Sequence, residues 1–323
     1  MLVRPYQEAD AVQWDEFCAG ALSGTFLHTR RFLSYHGDRF VDRSLIIEED
    51  GRWLGVFPAA QHPQDEKCIV SHPGITYGGI LHSGQLRGSL MIGALERIRS
   101  HYRELGYTEL TYKAVPTIYH SSASDDDLYA LFRLGAVRVR CDLSCAIDLR
   151  NRLPKSERRR RSFRKALTSG VRVEQGDGFA TPIWDVLTEN LARKHGVAPV
   201  HVLSDIQLLA RRFPDNIRFV AGLLNETVVA GVVLFISRMT HHAQYIASSC
   251  VGNQSCALDV VFEHCIASAG AQGAGWFDFG ISNERGGCVL NDGLYGYKCE
   301  FGGGGVIHEF FDLTLSGKER NEP

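Results

Sequence analysis

The chain has 323 residues, a net charge of −2 and a pI near 6.7, with 44% hydrophobic and 22% charged residues. That balance supports a sizeable core and argues against bulk electrostatic capture of nucleic acid. No segment approaches the ~18 uncharged apolar residues of a membrane span, and the N-terminal MLVRPYQEADAVQWDEF has acids where a signal peptide needs an apolar run, so a cytoplasmic protein is expected.

Helical segments are expected over 8–36, followed by SLIIEEDGRWLGVFPAA (44–60), which reads as strand, Asp50-Gly51 turn, strand. A further apolar stretch, SHPGITYGGIL (71–81), is taken as the next strand. LRGSLMIGALERIRSHYRELG (86–106) then places Leu90, Ala94, Leu95, Ile98 and Tyr102 at helical spacing and ends on Gly106, and YTELTYKAV (107–115) returns as a strand. The order recurs about 170 residues later in the chain. Helical segments over 179–213 precede a strand–turn–strand at 217–237, a strand at 241–250, a helix at 257–273 and a strand at 275–282. Hairpins followed by strand–helix–strand crossovers imply α/β mixed sheets flanked by helices. Two such sheets in tandem account for the length. The expected domains are 1–150 and 151–315 with a charged tail at 316–323, the boundary falling near LRNRLPKSE (149–157), where Pro154 and charges break the apolar pattern.

Nine cysteines without short paired spacings read as free thiols in a reducing compartment. Cys141 and Cys145 flank strand-like alternation and are expected as small core residues. Neither CxxC nor HExxH occurs, and no metal is expected. Arg150 to Lys165 carries nine basic residues in 16 positions, with four consecutive arginines that span more than one helical turn. They cannot all face one partner. The bland reading is a solvated helix joining two domains; the others are contact with a pyrophosphate, an acidic lipid surface or tRNA.

A wider set of segments carries a family resemblance: SHPGITYGG (71–79), LTYKAVPTIYH (110–120), DDDLYALFRLGA (125–136), KSERRRRSFRKALTSGVRV (155–173), FPDNIRF (213–219), ALDVVF (257–262) and FDFGISNERGGCVLNDGLYGYKCEFGGG (277–304). Together they resemble the tandem Gcn5-related acyltransferase (GNAT) fold, and within it the FemAB-like, or BioF2-like, acetyltransferases. The last segment is similar to a family pattern of strand, FG-S-x-E, Asn-x-Gly-Leu and Lys-x-x-Phe-Gly. The resemblance implies transfer of an acyl group to an amine, from acyl-coenzyme A in part of the family and from aminoacyl-tRNA in the peptidoglycan branch. The coenzyme A signature after the fourth strand is altered here: CVGNQSCALD (250–259) keeps Gly252 and Ala257 but not their spacing.

Acyl transfer requires an amine that loses a proton, donors for the developing oxyanion, and stabilisation of the leaving group. The resemblance places the donor's pyrophosphate at a helix N-terminus. Gly252, Asn253, Gln254 and Ser255 are the residues expected to meet it, the alternative being an ordinary turn capped by Ser255. Asp278 lies mid-strand on a face with Trp276 and Gly280, opposite Phe277 and Phe279, and is a candidate base or a loop-capping carboxylate. Glu284 and His201 are further candidates, His201 preceding a helix expected to be capped by Ser204. Lys298 is expected as a fixed positive charge. The glycine-rich segment around it, anchored by Leu290, Leu294, Tyr295, Tyr297 and Phe301, is expected as an ordered rim over the site rather than a disordered tail. Lys113, Tyr119, His120, Gln244, Tyr245 and Asn291 are candidate substrate contacts, Tyr119 and His120 at an inter-domain groove. The donor site is expected in the second half. The expected activity is N-acyl transfer from acyl-coenzyme A to an amine, such as that of a nucleotide-linked amino sugar. The alternatives are an aminoacyl-tRNA-dependent transferase acting on a cell-wall precursor, and a duplicate that binds without turnover.

Overall fold

The structure is a computed structural model that describes residues 1–195 and 201–315, so the 316–323 tail lies outside the described residues. The chain divides into two units. The first comprises 1–142, 284–289 and the chain from 307; the second comprises 143–283 and 290–306. The division thus falls at 142/143 rather than within 149–157. The chain also returns to the first unit at its end, because the final strand (Gly304–Thr314) pairs antiparallel with an early one, Phe310 opposite Lys113 and Thr314 opposite Glu109.

In the first unit, β1 (Leu2–Pro5), β2 (Leu45–Glu49) and β3 (Arg52–Phe57) form an antiparallel sheet, β2 and β3 meeting at the Asp50-Gly51 turn, where both residues have positive φ. β4 (Ala60–His62) and β5 (Asp65–Val70) form a second hairpin, and β5 pairs parallel with β6 (Glu109–Lys113) across the helix Ser89–Glu104. The strand before that helix is therefore Asp65–Val70, not 71–81. The 71–81 stretch is irregular, held by Gly78 donating its N–H to the Lys113 carbonyl and by the Tyr112 hydroxyl accepting from the Ile80 N–H. Of the five positions singled out by spacing, Ala94, Leu95, Ile98 and Tyr102 are buried against Phe57, Leu110 and Tyr112, whereas Leu90 is exposed and Met91 takes its place in the core.

The second unit is a mixed sheet in the order β7–β12–β11–β10–β9–β8. Its strands are β7 (Val137–Asp148), β8 (Arg172–Gln175), β9 (Ile217–Leu224), β10 (Thr227–Ile236), β11 (Thr240–Ser248) and β12 (Trp276–Ile281). β10 reads TVVAGVVLFI with eight successive buried residues, the signature of a strand covered on both faces. The helix Ala257–Ala271 covers one face, where Val261, Phe262, Cys265 and Ile266 pack on Phe277, Phe279, Val220 and Val232. The helix Ala180–His195 covers the other, Ile183 filling the space above Gly231 and Trp184 meeting Tyr245 at 5.0 Å. Buried apolar area of this kind contributes roughly 25 cal/mol per Å² and dominates the stability of each layer. Among the described residues no helix is long and apolar enough to cross a membrane, and no group of three or more His, Cys, Asp or Glu could hold a metal. Of the two strand cysteines, Cys145 is buried and Cys141 is only partly covered, a partial departure from the expectation of two core thiols.

Candidate functional site

β11 and β12 run parallel for only three pairs, ending at His242 opposite Asp278, while β11 stays paired with β10 as far as Ser248. β12 leaves the ladder because Gly280 takes φ 78°, a left-handed conformation that glycine adopts without a side-chain clash. The strands therefore splay, and the β11 edge beyond His242 presents backbone N–H and C=O groups without a ladder partner from β12. Within the same unit a cavity of about 490 Å³ is lined by Ile246 and Ser248 of β11, by Leu258 and Phe262, and by Tyr297 and Lys298. A second, of about 260 Å³, shares Ser248, Asn253, Leu258 and Tyr297 and adds Arg158, Arg159 and Asp259. A concave site with an apolar lining and few polar groups suits a small acyl donor arm.

The glycine-rich segment is ordered. Asn291 caps the helix Asp292–Cys299 by accepting the Leu294 N–H at 3.0 Å, and Lys298 emerges from that helix only 4% exposed. Its ammonium donates to the carbonyls of Gly280 at 2.8 Å and Ile281 at 2.7 Å, tying the helix to the turn that opens the splay. Burial lowers its pKa to about 8, with the Asp278 charge opposing the fall.

Asp278 is 0% exposed and accepts from the Ser144 hydroxyl, the Gly280 N–H at 2.9 Å and His242 Nδ1 at 2.8 Å. Phe277 and Phe279 face the helix core, so Asp278 lies on the opposite sheet face, as the strand alternation predicts. A carboxylate so enclosed is satisfied by protein donors, not by an incoming amine.

The turn after β11 is a short helix (Cys250–Ser255) capped by Ser249, whose Oγ accepts the Gly252 N–H at 3.1 Å. The Asn253 N–H goes to the Ser249 carbonyl, and the Ser255 hydroxyl donates to the Val251 and Gly252 carbonyls. Gly252 and Asn253 reach the cavities, Gln254 is exposed, and Ser255 is buried in its own turn. The N-cap position of the following helix is taken by Cys256 in the left-handed region, without a side-chain cap, and not by Ser255. The backbone donors expected to hold a phosphate are thus largely engaged within the turn. A carboxylate already sits at the next helix start: Asp259 takes two bonds from Arg159 Nη1, at 2.9 and 3.0 Å. Arg159 alone of the arginine run turns inward, onto the rings of Tyr297 and Phe301 and onto Glu300, while Arg158, Arg160 and Arg161 face outward.

On the face away from the helix core, His201 Nδ1 bonds the Tyr245 hydroxyl; the helix after it begins at Leu203, so Val202, which offers no side-chain cap, and not Ser204 holds the N-cap position. Gln244 sits at a register shift of β11 against Val233 and Leu234. The remaining candidates belong to the first unit. Lys113 is buried and donates to the His72 and Ile75 carbonyls, burial lowering its pKa to about 7. Tyr119 stacks on Tyr77 at 4.5 Å, His120 Nε2 bonds the Val115 carbonyl at 3.0 Å, and Glu284 is exposed. The sequence reading missed His242, Ser144 and the Arg159–Asp259 pair. Each depends on strand register or helix rotation, and the HHAQYIASS segment by itself gives no reason to prefer His242 over His241.

Residues 150–298 match a family model described as an acetyltransferase (GNAT) domain. Among solved structures, FemX aligns over 97% of both chains at 12% identity with a TM-score of 0.69. L-PGS from Bacillus licheniformis aligns over 97% of this chain and 93% of its own at 14% identity and TM-score 0.61. A tandem GNAT protein from the clavulanic acid biosynthesis pathway aligns over 98% and 99% at 10% identity and TM-score 0.52. No curated protein matches the chain.

Proposed function

We propose that the chain is a FemAB-like tandem GNAT acyltransferase that moves an acyl group from acyl-coenzyme A to a small-molecule amine, such as that of a nucleotide-linked amino sugar; the match of residues 150–298 to a GNAT acetyltransferase domain supports the acyl-transfer part of that reading. The observation that carries the reading is the β11/β12 splay with Lys298 fixed beside it and a cavity of about 490 Å³ opening onto Ser248 and Asn253. An acyl donor laid along the β11 edge would direct its carbonyl oxygen at the unpaired strand N–H groups, which then hold the oxyanion as the amine adds. Collapse breaks the C–S bond, and the Lys298 ammonium supplies positive charge near the departing thiolate. Asn190, Ser248 and Asn253 offer hydrogen bonds to polar parts of donor or acceptor.

A second donor reading, aminoacyl-tRNA, is favoured by one specific observation. The N-terminus of Ala257–Ala271 is already occupied by the Arg159–Asp259 pair, which fills the place a pyrophosphate would take, whereas Arg158 at the smaller cavity and the exposed Arg160 and Arg161 of the same helix suit a nucleic-acid backbone. Thermal unfolding with acetyl-coenzyme A, free coenzyme A and adenosine diphosphate separates the two. A ligand at 100 times its Kd adds about 2.7 kcal/mol, raising the midpoint by roughly a few degrees at this size. A shift larger with the thioester than with either control supports coenzyme A. No shift at millimolar ligand, with salt-sensitive binding of charged tRNA, replaces it.

A further inference from the structure

The reaction proposed above needs a proton acceptor, and the fully enclosed Asp278 cannot meet an amine. Its geometry identifies the group that can. His242 and Asp278 are the last opposed pair before β11 and β12 part, so the imidazole stands at the apex of the splay. Its Nδ1 lies 2.8 Å from Asp278 Oδ2, while Oδ1 is held by the Ser144 hydroxyl and the Gly280 N–H. A carboxylate accepts only, so Nδ1 carries the hydrogen in the neutral ring and the lone pair is left on Nε2. That nitrogen makes no hydrogen bond among the described residues, and the side chain is 14% exposed. Ser144, Asp278 and His242 lie on the sheet face away from Phe277 and Phe279, where His201 and Tyr245 also sit.

We propose that His242 Nε2 is the group that removes the amine proton during acyl transfer, with Asp278 and Ser144 as positioning residues that fix its tautomer and aim. This rests on the acyl-transfer reading but not on the identity of the donor. The amine nitrogen forms the C–N bond to the acyl carbon while its proton passes to Nε2. The C–S bond, or the C–O bond of an ester donor, then breaks, and the imidazolium returns the proton to the leaving group or to water. Asp278 from β12 bonds the ring and is itself held by the Ser144 hydroxyl from β7, Phe235 from β10 is the cross-strand partner of His242, and the Lys298 ammonium is bonded to the nearby Gly280 carbonyl; His241 on the same strand is buried. The position explains why Asp278 is buried on a strand that is otherwise aromatic: it acts through the ring rather than on substrate.

Two measurements on the full chain test this. The first needs no substrate. Nitrogen-15 chemical shifts of His242 should report the Nδ1–H tautomer, and diethylpyrocarbonate should modify His242 at Nε2. Asp278→Asn should abolish the tautomer preference, and Ser144→Ala weaken it. The second follows acetyl-coenzyme A turnover with glucosamine as acceptor. His242→Gln should lower kcat about 10²- to 10⁴-fold with little change in KM, and added imidazole should restore part of it to His242→Ala. Asp278→Asn should lower kcat similarly and displace the acidic limb of the pH profile. A folded His242→Gln enzyme within twofold of wild type overturns the assignment. If the wild type turns over neither acyl-coenzyme A nor charged tRNA, the acyl-transfer reading fails. The dyad is then judged on the first measurement, where an Nε2–H tautomer or an unmodified His242 refutes it.

Discussion

Replacing Arg159 by methionine should destabilise the protein by about 3–5 kcal/mol at pH 8, the range for removing one partner of a buried ion pair. The structure places it at the upper part of that range. Arg159 and Asp259 are 6% and 5% exposed, the pair is held by two bonds of 2.9 and 3.0 Å, and Arg159 also bonds Glu300 at 2.8 Å. The guanidinium lies 4.7 Å from the Tyr297 ring centre, a cation–π contact that adds on the order of 1–2 kcal/mol when water is excluded. Methionine keeps the volume, so the loss reports the stranded Asp259 charge rather than a cavity. Burial already raises the Asp259 carboxyl, Arg159 opposing, and without Arg159 it rises further. A carboxyl raised in the fold binds more protons than the unfolded chain between its unfolded and folded values. The penalty is therefore full above the folded pKa and shrinks by about 1.4 kcal/mol per unit as pH falls below it, toward the unfolded value near 3.9. Urea unfolding at pH 8 and pH 5 should show the Arg159→Met cost clearly smaller at pH 5. Adding Asp259→Leu should recover most of it at pH 8. A cost below about 1 kcal/mol at pH 8, an equal cost at both pH values, or no recovery in the double variant would refute the reasoning.

Two further outcomes follow from the same structure. Gly252→Ala should lower stability, not merely donor affinity, by roughly 2 kcal/mol or more, because the added Cβ would meet the Val229 carbonyl at 2.2 Å and Ser248 Oγ at 2.7 Å; a chemical-denaturation curve superimposable on wild type would show that the turn relaxes freely. His28 is fully buried, accepts the Thr25 N–H at Nδ1 and bonds the Gly78 carbonyl through Nε2, and burial lowers its pKa to about 4. Its neutral form supports stability above pH 6.5, and that support is lost as pH falls toward 4, by up to about 3 kcal/mol. His28→Gln should therefore flatten the acid limb of a stability–pH curve, and an unchanged slope would exclude His28 as its source.

Most elements were legible because local rules govern them. The hairpins at Asp50-Gly51 and Asn225-Glu226 each carry two positive-φ residues at turn positions, and the helices Ser89–Glu104 and Ala257–Ala271 show their buried faces as spacing. The alternation that set Phe277 and Phe279 against Asp278 was equally readable; of the five apolar anchors expected for the glycine-rich segment, Tyr295, Tyr297 and Phe301 pack on the core, whereas Leu290 and Leu294 are exposed. What misled was local as well: SHPGITYGGIL is apolar enough for a strand, but Gly78 and Ile80 spend their N–H groups on Lys113 and Tyr112 instead of on a ladder.

By itself the sequence determined the order of elements, the doubled arrangement of hairpin and crossover, and the residue types available for acyl transfer, since periodicity and turn chemistry act over a few residues. Only the tertiary structure decided which of those residues meet. The final strand returns to the first unit through ladder bonds to β6, far away in sequence. Asp278 became a positioning candidate when the parallel register put His242 opposite it, and Arg159 became buried when helix rotation aimed it at Asp259. Register and rotation are settled by packing energy summed over a whole sheet face, and no window of the sequence contains that sum.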